Sequence, residues 1–301
     1  MPQEYPIILR GFPCKVARVD DLTYVTRGGR PLLADLYIPE EPQRPLPVIL
    51  FLHAGGWAEG DRRFGPDLGR FFAERGFAMA SVDYRLSGDA TFPAAVHDVK
   101  TAVRWLRSIA GEYGLDANRI GIWGLSAGGH LAALAALSGP QDFVATDDPY
   151  QEFAGAVQAV VAGYPPIDFL QMDSHGGADS YEAKFLGAPI AEVPELVRQA
   201  SPAAYIKSGA PPFLLVHGLA DTAVPVAQSE LLFDALGVAG NDVTLCLVDG
   251  LGHGFMNRNN FDQGTFPRMR KYECRNGEGP VVSEAPPFTF GTVETYFKRW
   301  L

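Results

Sequence analysis

Cysteine is nearly missing from this chain: three in 301 residues, Cys14, Cys246 and Cys274, with no C-x-x-C pair. That scarcity excludes a disulfide-stapled scaffold, a zinc knuckle and a thioredoxin-like redox centre. It fits a reducing compartment, with one disulfide between two of the three left open. Positive charge is also in short supply, 25 Lys and Arg against 35 Asp and Glu, for a formal net charge of -10. Nucleic acid is therefore excluded as a partner, because phosphates are neutralised by clustered Lys and Arg. The acidity reads as solubility. No apolar run reaches the roughly 20 residues of a membrane-spanning helix. Met1-Pro2-Gln3-Glu4-Tyr5-Pro6 lacks a basic segment followed by an apolar one, so a cytoplasmic location is expected, with secretion of a trimmed form left open. H-E-x-x-H is absent and the six histidines are scattered, so neither a metal nor an organic cofactor is expected. Internal repeats and low-complexity tracts are absent as well.

What is present is an ordinary enzyme-like composition, 47% hydrophobic and 20% charged, in a chain long enough for one large domain. Strand-like runs fall near 22–26, 33–38, 48–52, 78–82, 120–123, 156–162, 213–217 and 243–248, and helical patterns near 66–75, 93–110, 127–137, 226–236 and 292–301. From residue 48 onward the strands are apolar throughout, as when helices cover both faces of a sheet. The alternation predicts an α/β fold with a mostly parallel sheet of about eight strands, the first two forming an antiparallel edge. Two segments break the rhythm within a single domain of 1–301. Residues 164–210 look like a small cap insertion. Residues 257–289, polar and rich in Gly, Pro and Arg, show no period.

The strand near 120–123 runs into Gly124-Leu125-Ser126-Ala127-Gly128 and then an Ala/Leu-rich helix. G-x-S-x-G between a strand and a helix places Ser126 on a sharp, strained bend as a nucleophile. A serine hydroxyl is a poor nucleophile at neutral pH and needs a base, which in turn needs an orienting acid. His130, four residues along the same helix, reads as a packing residue, and His97 as a surface or helix-packing one. His175 lies in a flexible Gly-rich stretch of the insertion, and His217 ends a strand, where a supporting role is expected. His253 sits in Asp249-Gly250-Leu251-Gly252-His253-Gly254-Phe255, a glycine-flanked loop after the last apolar strand, and is the expected base. Asp221, just past the strand near 213–217, is the expected acid. Asp168 and Asp249 are its rivals, each more plausibly a turn or cap residue.

Acyl transfer also needs donors aimed at the oxyanion. His53-Ala54-Gly55-Gly56-Trp57 follows the strand near 48–52 and offers the N–H groups of Gly55 and Gly56, joined by that of Ala127. Trp57, Tyr164, Phe255 and Met256 are the expected substrate-pocket walls.

Five segments together resemble the α/β-hydrolase esterases of the hormone-sensitive-lipase type: His53-Ala54-Gly55-Gly56-Trp57, Asp83-Tyr84-Arg85-Leu86, Gly124 to His130, Asp221-Thr222-Ala223-Val224-Pro225, and Gly252-His253-Gly254-Phe255. Within them the chain is most similar to the bifunctional carbohydrate acetyl/feruloyl esterases. The resemblance spans residues 22 to 255. It implies an α/β-hydrolase fold and a serine carboxylesterase acting on small acyl esters, including acetyl or feruloyl esters of carbohydrates. It implies Ser126 as nucleophile, His253 as base, Asp221 as acid, Gly55, Gly56 and Ala127 as the oxyanion hole, and Asp83 and Arg85 as buttresses. The family's first loop glycine is Ala54 here, and the N-terminal segment is short, so a reduced cap is implied. The partner is then a small-molecule ester, with association into a homodimer left open. Two other readings stay in view: an arylformamidase or small serine peptidase using the same machinery, and a non-catalytic hydrolase-like receptor.

Overall fold

The computed structural model describes residues 14–40, 45–172, 177–258 and 268–301. Its strands are β1 (Val16–Arg27), β2 (Arg30–Pro39), β3 (Leu46–Leu52), β4 (Ala78–Val82), β5 (Leu115–Leu125), β6 (Ala159–Gly163), β7 (Phe213–Gly218), β8 (Val243–Val248), β9 (Met269–Cys274) and β10 (Val281–Ala285). The helices are α1 (Leu68–Phe71), α2 (Ala94–Ser108), α3 (Ala110–Tyr113), α4 (Ala127–Leu137), α5 (Tyr181–Leu186), α6 (Pro194–Ala200), α7 (Ala227–Val238) and α8 (Phe290–Trp300).

All ten strands join one sheet in the order β1-β2-β4-β3-β5-β6-β7-β8-β9-β10. The six from β4 to β8 in that order pair in parallel. The β1–β2 hairpin and the β9–β10 hairpin close the two edges antiparallel. The chain leaves β3 toward β4 on one side, then crosses to β5 on the other. Such a reversal of winding opens a crevice at the carboxyl ends of the two strands, and the loop after β3 and the turn after β5 meet there.

Period-2 alternation sends neighbouring side chains to opposite faces. Val48, Leu50 and Leu52 of β3 pack under α2, α4 and α7. Ile49 and Phe51 face the other layer with α1 and α8, where Phe72, Trp123, Phe290 and Phe297 gather. Each large apolar side chain so buried contributes about 1.5–3 kcal/mol. The two layers hold the sheet, and with it the crevice, rigid.

Two sequence expectations need correction. The sheet has ten strands rather than about eight, because part of 257–289 folds as β9 and β10. Only Met269 and Cys274 of β9 are buried, and its middle is exposed Arg270 with half-buried Lys271, Tyr272 and Glu273, so this strand, next to the edge strand β10, presents no apolar period. The helix expected over 66–75 is α1, capped by the Asp67 side chain on the Arg70 N–H, followed by a 3-10 turn that ends at Gly76 with φ +97°. Within 164–210 the described residues include α5, α6 and short 3-10 turns, with Phe185 against Trp57 of the loop after β3 and Ala200 O bonded to His130 of α4. His175 and residues 259–267 lie outside the described residues. Among the described residues no helix is long and apolar enough to cross a membrane, and all three cysteines are free.

Candidate active site

β5 ends at Leu125 and α4 begins at Ala127, so the whole reversal falls on Ser126, at φ +55° and ψ -118°. A non-glycine residue held there costs about 1–3 kcal/mol. The bend is held on both sides: Ser126 N–H donates to Gly163 O at 2.8 Å and Ser126 O accepts from His130 N–H at 2.9 Å. Side chains are excluded next to it. A Cβ on Gly124 would lie 2.0 Å from Gly128 O, and one on Gly128 would lie 2.2 Å from Leu52 O. Ser126 is 8% exposed, with its hydroxyl aimed into the crevice.

The loops after β7 and β8 bring the other two groups. Ser126 Oγ–H donates to His253 Nε2 at 2.8 Å, and His253 Nδ1–H donates to Asp221 Oδ2 at 2.7 Å. Asp221 Oδ1 accepts the N–H groups of Ala223 and Val224, both at 2.9 Å. Burial alone would raise the Asp221 carboxyl; hydrogen bonds from His217, His253 and the Val224 N–H outweigh it and hold the group well below the usual carboxylate range. The acid is therefore an anion facing the imidazole, the arrangement that fixes a tautomer and stabilises an imidazolium.

After β3 the chain turns through Gly55 and Gly56, at φ +128° and +56°, with Gly55 O accepting from the N–H groups of Ala58 and Glu59. Gly55, Gly56 and Ala127 line one cavity of about 290 Å³ with Ser126 and His253. Ala127 opens α4, so its N–H belongs to the first helical turn, whose donors have no intrahelical acceptor and sit at the positive end of the helix dipole. Beneath this loop His53 Nδ1–H donates to Ala54 O at 2.7 Å and its ring stacks on Tyr84 at 4.3 Å. Asp83 accepts the Arg62 N–H and Arg62 Nη1, while Arg85 pairs with the buried Asp98. Both thus act on the loops behind the site.

The expected pocket walls fall mostly elsewhere. Tyr164, Phe255 and Met256 are buried in the apolar layer and do not line the cavity. Tyr164 supports His253 from behind, ring to ring at 4.8 Å. Trp57 borders the cavity, but its ring is packed against Phe185, Phe169 and His130 and its Nε1–H donates to His130 Nδ1. The cavity mouth is formed instead by Phe64 and Tyr181, both 46% exposed, with Pro166, Ala223, Val224 and Asn257. Apart from Ala223 and Val224, which closely follow Asp221, these come from separate segments of the chain, Tyr181 from the start of α5, and share no motif that a chain read in order would show. His217 is another residue the motif reading left vague: it touches Asp221 directly, and its spacing four residues before that acid was the available hint.

His130 is buried and bonded to Trp57 and Ala200, and His97 is half-buried in α2. The Asp168 side chain caps a turn at Leu170 N–H, and Asp249 N–H donates to Arg268 O, next to the Val248–Met269 pair of β8 and β9. A larger cavity, about 490 Å³, lies at the far end of α4 beside Lys100 and Trp300; it contains no nucleophile–base pair. Among the described residues no three His, Cys, Asp or Glu side chains converge as metal ligands.

The chain matches the BD-FAE family profile over residues 34–236. It is 35% identical to Esterase LipC of Mycobacterium tuberculosis over 71% of this chain and 54% of that protein. It is 31% identical to the probable isoprenylcysteine alpha-carbonyl methylesterase ICME of Oryza sativa subsp. japonica, over 73% of this chain and 54% of that one. The chain thus spans about half the length of the curated relatives it matches. Among solved structures it is similar to a truncated carbohydrate esterase from gut microbiota (TM-score 0.72, 29% identity, 82% of this chain and 91% of that one). It is also similar to propionate-bound Est2 of Thermogutta terrifontis (TM-score 0.64, 27% identity, 81% and 85%). The fold is the α/β-hydrolase fold.

Proposed function

The chain belongs to the BD-FAE family, and from that membership we propose that it is a serine carboxylesterase acting on small acyl esters, with esters of carbohydrates as its substrate class. The observation that carries the reading is the unbroken line of hydrogen bonds from Ser126 Oγ to His253 Nε2 at 2.8 Å and from His253 Nδ1 to Asp221 Oδ2 at 2.7 Å. In that line Ser126 attacks the ester carbonyl while His253 takes its proton. The negative charge moves to the carbonyl oxygen, which the N–H groups of Gly55, Gly56 and Ala127 receive. His253 then gives the proton to the leaving alkoxide, and the alcohol departs. Water, deprotonated by the same imidazole, cleaves the acyl-enzyme and restores Ser126.

The carbohydrate assignment draws on the similarity to a carbohydrate esterase. A cavity of about 290 Å³, at the small end for a ligand site, supports a short acyl group. Residues 164–210 are read as a small cap, whose Tyr181 stands over Gly56.

The test is hydrolysis of p-nitrophenyl esters of increasing acyl length, acetylated and feruloylated oligosaccharides, and an N-formyl aryl amide, by the protein and by Ser126→Ala. Expected are rates that fall steeply beyond short acyl chains, turnover of the sugar esters, and a loss of several orders of magnitude in kcat for the variant. Faster turnover of the amide than of any ester, or full activity in Ser126→Ala, overturns the reading.

A further inference from the structure

Asp221 carries a second histidine. Its Oδ2 accepts from His253 Nδ1 at 2.7 Å and also faces His217 Nε2 at 3.3 Å. Both Asp221 and His217 side chains are 0% exposed. His217 Nε2 lies against two acceptors, Asp221 Oδ2 and Val224 O at 3.0 Å. A bare ring nitrogen between two oxygens is repulsive, so Nε2 carries the proton. Ser229 Oγ stands 2.8 Å from Nδ1, within hydrogen-bond distance. The two oxygens thus fix the tautomer, and a hydroxyl on α7, an element that contributes nothing else to the site, holds the ring's orientation.

We propose that His217, locked by Ser229, is a positioning residue of the acyl-transfer site, acting through Asp221 to set how much of the carboxylate's charge reaches His253. The proposal rests on the esterase reading above. Its physical basis is that Oδ2 has one set of lone pairs to share between two imidazole donors in a site closed to water, where each hydrogen bond counts for more than in solution. Among the described residues Asp221 forms no ion pair with Lys or Arg. The groups around it are His217 from β7, His253 from the loop after β8, Ser229 from α7, and the Tyr164 ring after β6, 6.5 Å from the His217 ring. Its negative charge is therefore balanced by two imidazoles and two backbone N–H groups alone. A donor taken from one side leaves more of that charge on the other.

The test compares His217→Leu, His217→Gln and Ser229→Ala. It reads the pH profile of kcat/KM on p-nitrophenyl acetate and, without substrate, the resonance of the His253 Nδ1 proton. In His217→Leu the acidic limb moves to higher pH and the Nδ1 proton moves downfield. The amide N–H of His217→Gln reaches toward the same oxygen and restores the limb and the resonance. Ser229→Ala keeps the ring and its Nε2 proton but removes the hydroxyl that orients it, and gives the same shifts to a smaller extent. An unmoved limb and resonance in His217→Leu, or no restoration by His217→Gln, overturns the proposal. Should His217→Leu not fold, unmoved values in Ser229→Ala overturn it. Failure of the esterase reading shows separately, as absent ester turnover by the unaltered protein, while the resonance still reports on His217.

Discussion

Gly128 sits against the last carbonyl of β3: a Cβ placed on it would lie 2.2 Å from Leu52 O and 2.5 Å from His53 O. The helix that starts after Ser126, the proposed nucleophile, and the loop that carries Gly55 and Gly56 therefore touch backbone to backbone. Their spacing is set by the absence of a side chain.

Gly128→Ala should force the two apart. Overpacking of this kind costs about 1–3 kcal/mol, and a displaced oxyanion loop lowers kcat because its donors act only over hydrogen-bond distance. Thermal unfolding and kcat on p-nitrophenyl acetate are the measurements. An unchanged kcat would mean that the contact does not set the loop.

Asp221→Asn keeps the size of the acid but removes its charge and permits the wrong imidazole tautomer, so kcat should fall by roughly 10³–10⁴. The native carboxyl is held below its unfolded value. Its contribution to stability is therefore complete above about pH 4 and is lost as the pH falls below that. Urea unfolding from pH 5 down to pH 2 should decline less steeply in the variant than in the unaltered protein.

Burial pushes His130 down to about 4, against the raising effect of its hydrogen bond to Ala200 O. The unfolded imidazole takes a proton near pH 6.5 while the native one stays neutral, so the unfolded state binds more protons between about pH 6.5 and 4. Stability should fall as the pH is lowered through that window, by on the order of 3 kcal/mol, and level off below it. In His130→Gln, which keeps an amide donor and acceptor, that part of the decline should disappear from denaturant midpoints measured at pH 7 and pH 4.5.

The Tyr181 ring lies over Gly56, where a Cβ would meet its Cδ1 at 2.4 Å, and its hydroxyl faces Glu59. Tyr181→Ala should open the mouth and raise the rate on p-nitrophenyl octanoate relative to acetate by about tenfold, the scale on which pockets discriminate chain length. An unchanged ratio would place the acyl chain elsewhere.

Arg62 holds three carboxylates, Asp21, Asp35 and Asp83, of which Asp35 is fully buried. Arg62→Met leaves Asp35 with the Arg18 side chain and the Asp21 N–H as its closest partners. Breaking a buried pair from one side costs about 3–5 kcal/mol. A second change, Asp35→Asn, should recover part of the loss in the urea midpoint.

How much of this was legible along the chain follows the range of each interaction. The elbow at Ser126, the Gly55-Gly56 turn and the apolar strands of the parallel sheet are local patterns, visible within a few residues. β9 escaped because a strand with one buried residue at each end has no apolar period. Tyr164, Phe255 and Met256 were placed at the pocket because they stand next to site loops in sequence, whereas in space they lie beneath them.

The order of residues alone pointed to the proposed machinery: a serine between glycines, then an aspartate, then a histidine, each just past an apolar strand. Only the tertiary structure decided that Ser126 and His253, 127 residues apart, meet at 2.8 Å, that Phe64 and Tyr181 flank the entrance, and that His217 shares Asp221. Backbone conformation answers to neighbours in the chain. A distance across the sheet answers to every strand and side chain packed between, and no short stretch of sequence contains that sum.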